Sequence, residues 1–473
     1  MNENSIYRRV YFVGGGGIGM AALERYFLSQ GLDVAAYDRT PSELTARLEQ
    51  EGVAMCYDDD PDAAVPDAFR DPADTLVVFT PAVPAGSAVM RFFATAGHRM
   101  IKRAEALGIV TRRSRALCFA GTHGKTTTSA MAAHVLHTCT VGCNAFLGGI
   151  LRNCDSNLIL APESPWTVAE ADEYDRSFHR LQPHIAVITA TDPDHLDIYG
   201  TEEAYLESFA HFTELIRPGG ALVAHTGLKL KPRLGADVSV FSYSRNEGDF
   251  HADRIRIADG TILFDFVHPG GRIADIELGV PVDINIENAV AALAACWLTG
   301  DLEPDAARRA MASFMGTERR FQFLLKQPRG GRVIIDDYAH HPDELRTSIA
   351  SVRALYPNRH ITVAFQPHLY TRTRDFATQF ADALSAADAV VLTDIYPARE
   401  LPIPGVTSDI IFRDVRTDDK TLIHKDNLVD WLKNRNFDIL LACGAGDMSL
   451  LLPQVAAYYT DKPLNGAENA INS

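Results

Sequence analysis

Leu117-Cys118-Phe119-Ala120-Gly121-Thr122-His123-Gly124-Lys125-Thr126-Thr127-Thr128 decides how this chain is read. A short apolar run ends in Gly-Thr-His-Gly-Lys-Thr, and a helix-compatible stretch, Ser129 to His137, follows. Strand, glycine turn, Lys-Thr and helix in that order describe a phosphate-binding loop. The glycines let backbone N–H groups converge on phosphate oxygens, and the helix N-terminus adds its positive dipole. Lys125 is placed to reach the β/γ-phosphates and the Thr126 hydroxyl to ligate Mg²⁺. Gly121, Thr122, His123, Gly124 and Thr127 complete the cradle. The usual spacing puts a glycine at position 119, where this chain has Phe119, so the loop is a shortened variant. The ligand it implies is a nucleoside triphosphate.

Working outward, 473 residues are too many for one core and suggest about three domains at ~150 residues each. Hydrophobic content of 47% and charged content of 22% are those of a soluble globular protein. A net charge of −16 argues against a nucleic-acid partner, because phosphate backbones select basic surfaces. The seven cysteines are scattered, with no Cys-x-x-Cys pair, and read as reduced thiols of a cytoplasmic protein. Met1 to Arg9 lacks an apolar signal core, and no run of apolar residues is long enough to span a bilayer. A cytoplasmic location without a membrane partner is expected.

Before the phosphate loop, Arg9–Val13 reads as a strand, followed by Gly14-Gly15-Gly16-Gly17-Ile18-Gly19, a helical pattern to Ser29, and a second strand ending at Asp38. This βαβ unit carries Gly14-x-Gly16-x-x-Gly19, which places a diphosphate on the helix N-terminus and Asp38 on a ribose hydroxyl. Any nucleotide diphosphate presents those groups, so a nicotinamide does not follow. Residues 74 to 80 form another buried strand, and Lys102-Arg103-Ala104-Glu105 leads towards a boundary near Arg113-Ser114-Arg115.

After the loop, the strand Trp166–Ala169 runs into Glu170-Ala171-Asp172-Glu173-Tyr174-Asp175. Acidic groups at a strand's carboxyl end suit a metal-phosphate site on an open sheet; taken alone, the run reads equally as a solvated loop. The strand Ile185–Thr189 precedes Asp194-His195-Leu196-Asp197, where His195 is either a second metal ligand or a loop histidine. A helix from 202 to 216, a strand-rich stretch from Leu222 to Ile276, and a helix from Ala289 to Leu298 opened by Asn285-Ile286-Glu287-Asn288 follow. Beyond a second boundary near Gly316-Thr317, the strands Val333–Ile335, Ile361–Phe365, Ala389–Thr393 and Ile439–Ala442 describe another parallel sheet. Its strand ends carry Asp336-Asp337-Tyr338-Ala339-His340-His341-Pro342 and Gln366-Pro367-His368-Leu369-Tyr370-Thr371-Arg372.

Taken together, Gly121-Thr-His-Gly-Lys-Thr-Thr127, Glu170-Ala-Asp-Glu173, Asp194-His-Leu-Asp197, Arg319-Arg320-Phe-Gln322, the Asp336–Pro342 run and Phe365–Thr373 resemble the Mur ligases of bacterial cell-wall synthesis. The resemblance implies an α/β protein of three domains: a UDP-sugar-binding Rossmann-like domain (1–115), a central ATP-binding P-loop domain (116–316) and a C-terminal Rossmann-like domain (317–473) that acts as an amino-acid-binding lid. It implies ATP and Mg²⁺ as cofactors, phosphorylation of a carboxylate to an acyl phosphate, and attack by an amine. Within the family the pattern looks like the members that join L-alanine to UDP-N-acetylmuramate.

By the same resemblance, Gly14, Gly16, Ile18, Gly19 and Asp38 receive the UDP-sugar, and Lys125 the triphosphate. Thr126, Glu173 and His195 hold magnesium, and Asn285 and Asn288 contact adenine. Arg320 reaches the γ-phosphate. Asp337, Tyr338, His340 and Arg372 surround the amino acid, with Asp337 counted among the catalytic groups. Two positions depart from the family pattern: Ile284 replaces a usual histidine, and Leu369 a common arginine, which throws the amino acid's carboxylate onto Arg372. A recycling ligase that joins a tripeptide to the same UDP-sugar is the alternative. An NAD-dependent oxidoreductase is more remote, since it leaves the phosphate loop and both acidic strand ends without a task. A monomer or homodimer is expected.

Overall fold

A computed structural model describes residues 7–84, 86–193, 196–258, 260–318, 320–327, 330–398 and 400–462. Its strands, in chain order, are β1 Arg9–Val13, β2 Asp33–Tyr37, β3 Ala54–Cys56, β4 Thr75–Phe79, β5 Arg99–Lys102, β6 Arg115–Ala120, β7 Asn144–Leu151, β8 Ser156–Ile159, β9 Trp166–Glu170, β10 Ile185–Ile188, β11 Ala221–His225, β12 Ser239–Tyr243, β13 His251–Ala258, β14 Thr261–His268, β15 Gly271–Glu277, β16 Gln322–Lys326, β17 Val333–Asp337, β18 Ile361–Phe365, β19 Ala389–Leu392, β20 Asp419–Leu422 and β21 Ile439–Cys443. The five-stranded sheet runs β3-β2-β1-β4-β5 and the seven-stranded sheet β12-β11-β10-β6-β9-β7-β8. A three-stranded sheet runs β13-β14-β15, and a six-stranded sheet β16-β17-β21-β18-β19-β20. Every pairing in the first sheet is parallel. The second and the six-stranded sheets each carry one antiparallel edge, β7–β8 and β16–β17.

Parallel strands covered by helices on both faces must be apolar on both sides, which is why they read as unbroken hydrophobic runs. The buried stretches Val10–Val13, Ala116–Ala120 and Val333–Ile335 follow that rule. Among the described residues no helix is long and apolar enough to cross a membrane. All seven cysteines are free thiols, five of them buried.

The chain divides into two compact units: Met1–Asp253 with Asp265–Ile276 and Glu287–Met311, and Arg254–Phe264 with Glu277–Ile286 and Ala312–Ser473. The first holds the five- and seven-stranded sheets. The helix Arg103–Arg113 runs into β6 through the single residue Ser114. Arg217 clamps that junction, donating from Nη1 to the Ser114 carbonyl (3.0 Å) and from Nη2 to the Thr111 carbonyl (2.8 Å). One apolar cluster extends from Val10, Phe12 and Tyr26 beneath the first sheet to Phe146, Phe178 and Phe209 in the second. The second unit builds its own core on the six-stranded sheet, from Ile334, Leu440 and Ala442 to Leu452 and Tyr459.

Two helices begin earlier than the sequence suggests. The helix after the phosphate loop starts at Lys125 and ends at Thr138; the second spans Ile284–Leu298. β-Branched threonines and asparagines are weak helix formers, so Lys125–Thr128 and Asn285–Asn288 read as loop. In the fold they are first turns, and the asparagines lie on their helix rather than ahead of it.

Candidate active site

The turn after β1 is crowded on every side. Gly14 has φ +86°, and a side chain there would start 2.4 Å from Thr80 Cγ2. At Gly15 it would start 2.5 Å from Glu24 Oε1, at Gly16 2.8 Å from Asp38 Oδ2, and at Gly19 2.9 Å from Arg103 Nη1. Glycine is required because neighbouring side chains press on the turn, so its backbone faces open space on the remaining side. That space is a cavity of about 1360 Å³, and Gly14, Gly16, Ile18, Gly19 and Asp38 all line it.

Asp38 has a structural task the sequence did not reveal. Its Oδ2 accepts the Gly16 N–H (2.7 Å) and its Oδ1 the Thr40 N–H (3.1 Å), so the carboxylate braces the turn and offers a ligand only its remaining lone pairs. Two further contributors escaped the sequence reading. Arg103 places a cation against Gly19. Asn157 of β8 donates to the Ile18 carbonyl (3.1 Å), tying the second sheet to the turn. Of these two, only Arg103 carried a signal, as a basic residue opening a helix immediately after a strand. Glu170, which the sequence offers as part of an acidic strand end, lines the same cavity from the end of β9.

The phosphate loop lies in the same unit. Gly121 (φ +140°) and Gly124 (φ +82°) set its backbone, and Gly124 is the N-cap of the Lys125–Thr138 helix. The loop is sewn to its neighbours: Thr122 N–H donates to Ala190 O (3.0 Å), and Thr122 Oγ1 donates to Asp192 O (2.7 Å) and meets Tyr205 Oη (2.9 Å). The Thr189 hydroxyl bonds the His123 carbonyl. Lys125 Nζ donates to Gly121 O (2.5 Å) and to Glu173 (2.9 Å), curling over the loop as a triphosphate-binding lysine would. Glu173 is 1% exposed. Burial raises its pKa above the ordinary carboxylate value, and the Lys125 ammonium opposes that rise. Tyr199 donates its hydroxyl to the Glu173 carbonyl, fixing the backbone that carries the carboxylate.

Replacing Gly121 by alanine would start a side chain 2.2 Å from Thr189 Oγ1 and 2.7 Å from the Ala190 backbone nitrogen. The loop must shift, at a cost of about 1–3 kcal/mol for forced overpacking. A lowered melting temperature with weakened ATP affinity is the expected result; unchanged affinity by calorimetry would mean the loop geometry does not hold phosphate.

Asn288 Oδ1 accepts the Thr128 hydroxyl (3.2 Å), joining its helix to the phosphate-loop helix. Asn285, allotted to the second unit, donates from Nδ2 to Val280 O (3.1 Å). Between them in sequence, Glu287 pairs with His225 at the end of β11 (2.7 Å), which raises the His225 pKa and lowers that of Glu287. His195 and its neighbour Asp194 lie outside the described residues. Among the described residues no group of three His, Cys, Asp or Glu side chains is placed to hold a metal by itself.

In the second unit the expected residues gather at the carboxyl ends of β17 and β18. Asp337, 9% exposed, accepts the Phe321 N–H at Oδ1 (3.0 Å) and the Ser348 hydroxyl at Oδ2. Burial raises its pKa while those two bonds oppose the rise. It is thus anchored on both oxygens within the protein. The Arg320 guanidinium stacks 5.2 Å from the Tyr338 ring centroid. His340 bonds the Tyr338 carbonyl through Nδ1 (2.9 Å), and its ring lies 6.1 Å from that of His368. Arg372 Nη1 is buried without a hydrogen-bond partner among the described residues. Buried guanidinium N–H groups are ordinarily satisfied, so an orphan one here marks a place for an anion. Leu369 holds φ +69°, ψ 137°, a conformation essentially confined to glycine, and precedes the Tyr370–Leu384 helix. Nothing in the sequence signalled that strain.

Three family models match the chain: "Mur ligase family, catalytic domain" over residues 9–115, "Mur ligase middle domain" over 119–296, and "Mur ligase, glutamate ligase domain" over 319–448. The UDP-N-acetylmuramate–L-alanine ligase of Phocaeicola vulgatus is 54% identical over 463 residues, covering 98% of this chain and 100% of its own. That of Parabacteroides distasonis is 56% identical, covering 94% and 96%. Among solved structures, UDP-N-acetylmuramate-alanine ligase from Thermotoga maritima superposes with a TM-score of 0.75 at 27% identity, over 95% of this chain and 99% of its own. A murein peptide ligase from Psychrobacter arcticus shares the fold with a TM-score of 0.59 at 19% identity, over 96% and 99%.

Proposed function

The chain belongs to the Mur ligase family, and we propose that it joins L-alanine to the carboxylate of UDP-N-acetylmuramate with ATP, in the cytoplasm, through an acyl phosphate. The observation that carries this reading is the end of β9. Glu170 and Asp172 line the cavity below the diphosphate turn, while Glu173 of the same short run grips the phosphate-loop lysine. A sugar nucleotide in the cavity would thus meet a triphosphate at one strand end. An oxidoreductase has no use for that junction.

The relatives above 50% identity bear the alanine-ligase name, which favours alanine over a tripeptide as the amine. The three-part division at 115 and 316 is proposed as the functional one: UDP-sugar, ATP and amino acid. Lys125 and the N–H groups of the loop would hold the β/γ-phosphates. Thr126 and Glu173, with His195 by family resemblance, would hold Mg²⁺. Magnesium is usually bound by one or two protein carboxylates plus substrate phosphates, which is the kind of ligand set Glu173 and Thr126 would offer beside a bound triphosphate. When bound, the ion would neutralise charge on the transferring phosphoryl group. Glu173 must then exchange Lys125 for the metal.

Phosphate release measured with UDP-N-acetylmuramate and each amino acid in turn should be fastest with L-alanine, with glycine and L-serine slower, since a methyl or hydroxyl changes selectivity only modestly. Release with a tripeptide alone would favour the recycling reaction. Calorimetry should also show binding of UDP-N-acetylmuramate and none of NAD, because Gly14–Gly19 supplies contacts for a diphosphate and nothing for a nicotinamide. NAD binding without UDP-sugar binding would overturn the assignment.

A further inference from the structure

The glycine turn after β1 rests on an acid whose place in the core no packing rule explains. The helix Ile18–Ser29 buries Met20, Leu23, Tyr26 and Phe27, and Glu24 is buried on it as well, with 0% exposure. Neither of its carboxyl oxygens has a hydrogen-bond partner among the described residues. A leucine or methionine would fill similar volume without leaving polar atoms unsatisfied. Glu24 Oε1 presses on Gly15: a side chain there would start 2.5 Å from it and 2.7 Å from Ala36 Cβ. With no exposed surface, Glu24 cannot touch a ligand and can act only through the turn. The turn itself is held tightly. Tyr37 O accepts the amides of Gly14 (2.7 Å) and Gly15 (3.0 Å), and Asp38 Oδ2 that of Gly16 (2.7 Å). Two carboxyl groups therefore bracket the glycines, Asp38 hydrogen-bonded to them and Glu24 packed against them.

Resting on the assignment of that turn to a sugar nucleotide, we infer that Glu24 is a positioning residue that backs the turn as an uncharged carboxylic acid, so that the diphosphate is gripped while Glu24 is protonated and released as Glu24 ionises. A diphosphate on the turn brings negative charge to a place where Asp38 already supplies a carboxylate. A further charge beside Gly15, shut away from water and salt, would repel it with little screening. An uncharged acid supports the same backbone without that repulsion. By reciprocity, whatever the proton on Glu24 does for the diphosphate, the diphosphate does for the proton.

The surrounding charges agree with an uncharged Glu24. Burial pushes its pKa well above the ordinary carboxylate value; Arg25 opposes the rise, and Asp38 and Glu51 add to it. Arg25, on the same helix, is engaged by Glu51 of the helix Glu43–Glu51 through bonds of 2.6 and 2.9 Å. The remaining cation nearby, Arg103, faces Gly19. Because the complex holds the proton to higher pH than the free protein, affinity is full below the pKa of Glu24 in the free protein. It then falls as pH rises past that value and levels off above the pKa in the complex.

The test is calorimetric titration of the whole chain with UDP-N-acetylmuramate from about pH 6 to about pH 9, in paired buffers of different ionisation enthalpy. The wild type should take up a proton on binding towards the alkaline end and lose at least about tenfold in affinity across the range. Glu24→Gln and Glu24→Met, both uncharged and of similar volume, should keep at the alkaline end the affinity they show at the acid end. Each variant carries every other titrating group, the uracil included, so a difference in slope belongs to Glu24. The wild type should also lose melting temperature relative to both variants as pH rises, since it alone must ionise a buried acid. Equal slopes in wild type and variants, or binding by the wild type without proton uptake, would overturn the inference and leave the sugar-nucleotide site standing. Absence of binding at every pH in all three proteins would overturn the site itself, and this inference with it.

Discussion

Lys125→Ala should reduce ATP-dependent phosphate release by at least about a hundredfold, the scale on which a preorganised donor to a reacting oxyanion acts. The lysine is already curled over the loop, held by Gly121 O and Glu173, so little reorganisation separates this geometry from a phosphate-binding one. The same substitution strips a buried carboxylate of its counter-ion. Breaking a buried pair typically costs about 3–5 kcal/mol, but burial already raises the Glu173 pKa, and without Lys125 it rises further. A carboxylic acid whose folded pKa exceeds its unfolded value favours the fold at low pH and ceases to do so as pH climbs through the folded pKa. The thermal deficit of Lys125→Ala should therefore be small in acid and grow towards neutrality. Adding Glu173→Gln should restore stability and leave activity lost. A single variant with near-normal turnover would remove the phosphate-loop assignment.

The second large effect is expected at Arg372. Its buried Nη1 has no hydrogen-bond partner among the described residues, so a substrate carboxylate would supply an acceptor. A charge-assisted hydrogen bond is worth about 1.5–3 kcal/mol, which makes Arg372→Ala a roughly ten- to hundredfold rise in KM for L-alanine. KM for ATP should move by less than about twofold, since loss of the bond removes amino-acid binding and leaves the phosphate loop intact. Arg372→Lys should recover only part of the loss, because an ammonium cannot reproduce the planar fork. An equal rise for both substrates would assign Arg372 to phosphate, and no rise would move the carboxylate site elsewhere.

The parts of this molecule that were legible are those where chemistry and local sequence coincide. A strand buried on both faces has to be apolar throughout, and a phosphate-binding turn has to be glycine, so β1 with Gly14–Gly19 and β6 with Gly121–Lys125 were readable at once. Helix starts were not, because Thr126–Thr128 and Asn285–Asn288 have poor helix propensity and are helical only in place. Groups that reach a site from far along the chain were also silent. Asn157 touches the turn at Ile18 because β8 lies at the edge of a sheet that packs beside it, and nothing near position 157 announces that. Asp38 was read for its ligand chemistry, yet its bond to the Gly16 amide is a consequence of folding back across 22 residues.

The one-residue junction at Ser114 and the apolar cluster that crosses it bear on how this protein can be recombined. Tyr26 of the first sheet's helix meets Phe146 of the second edge-on, with ring centroids 5.4 Å apart, and Gly108 leaves no room for a side chain beside the Arg180 carbonyl. A chimera cut at Ser114, carrying the first sheet of a distant relative, would set two independently evolved packing surfaces against each other. The first and second sheets share one packing surface, and a crossover that respects it has to fall outside both.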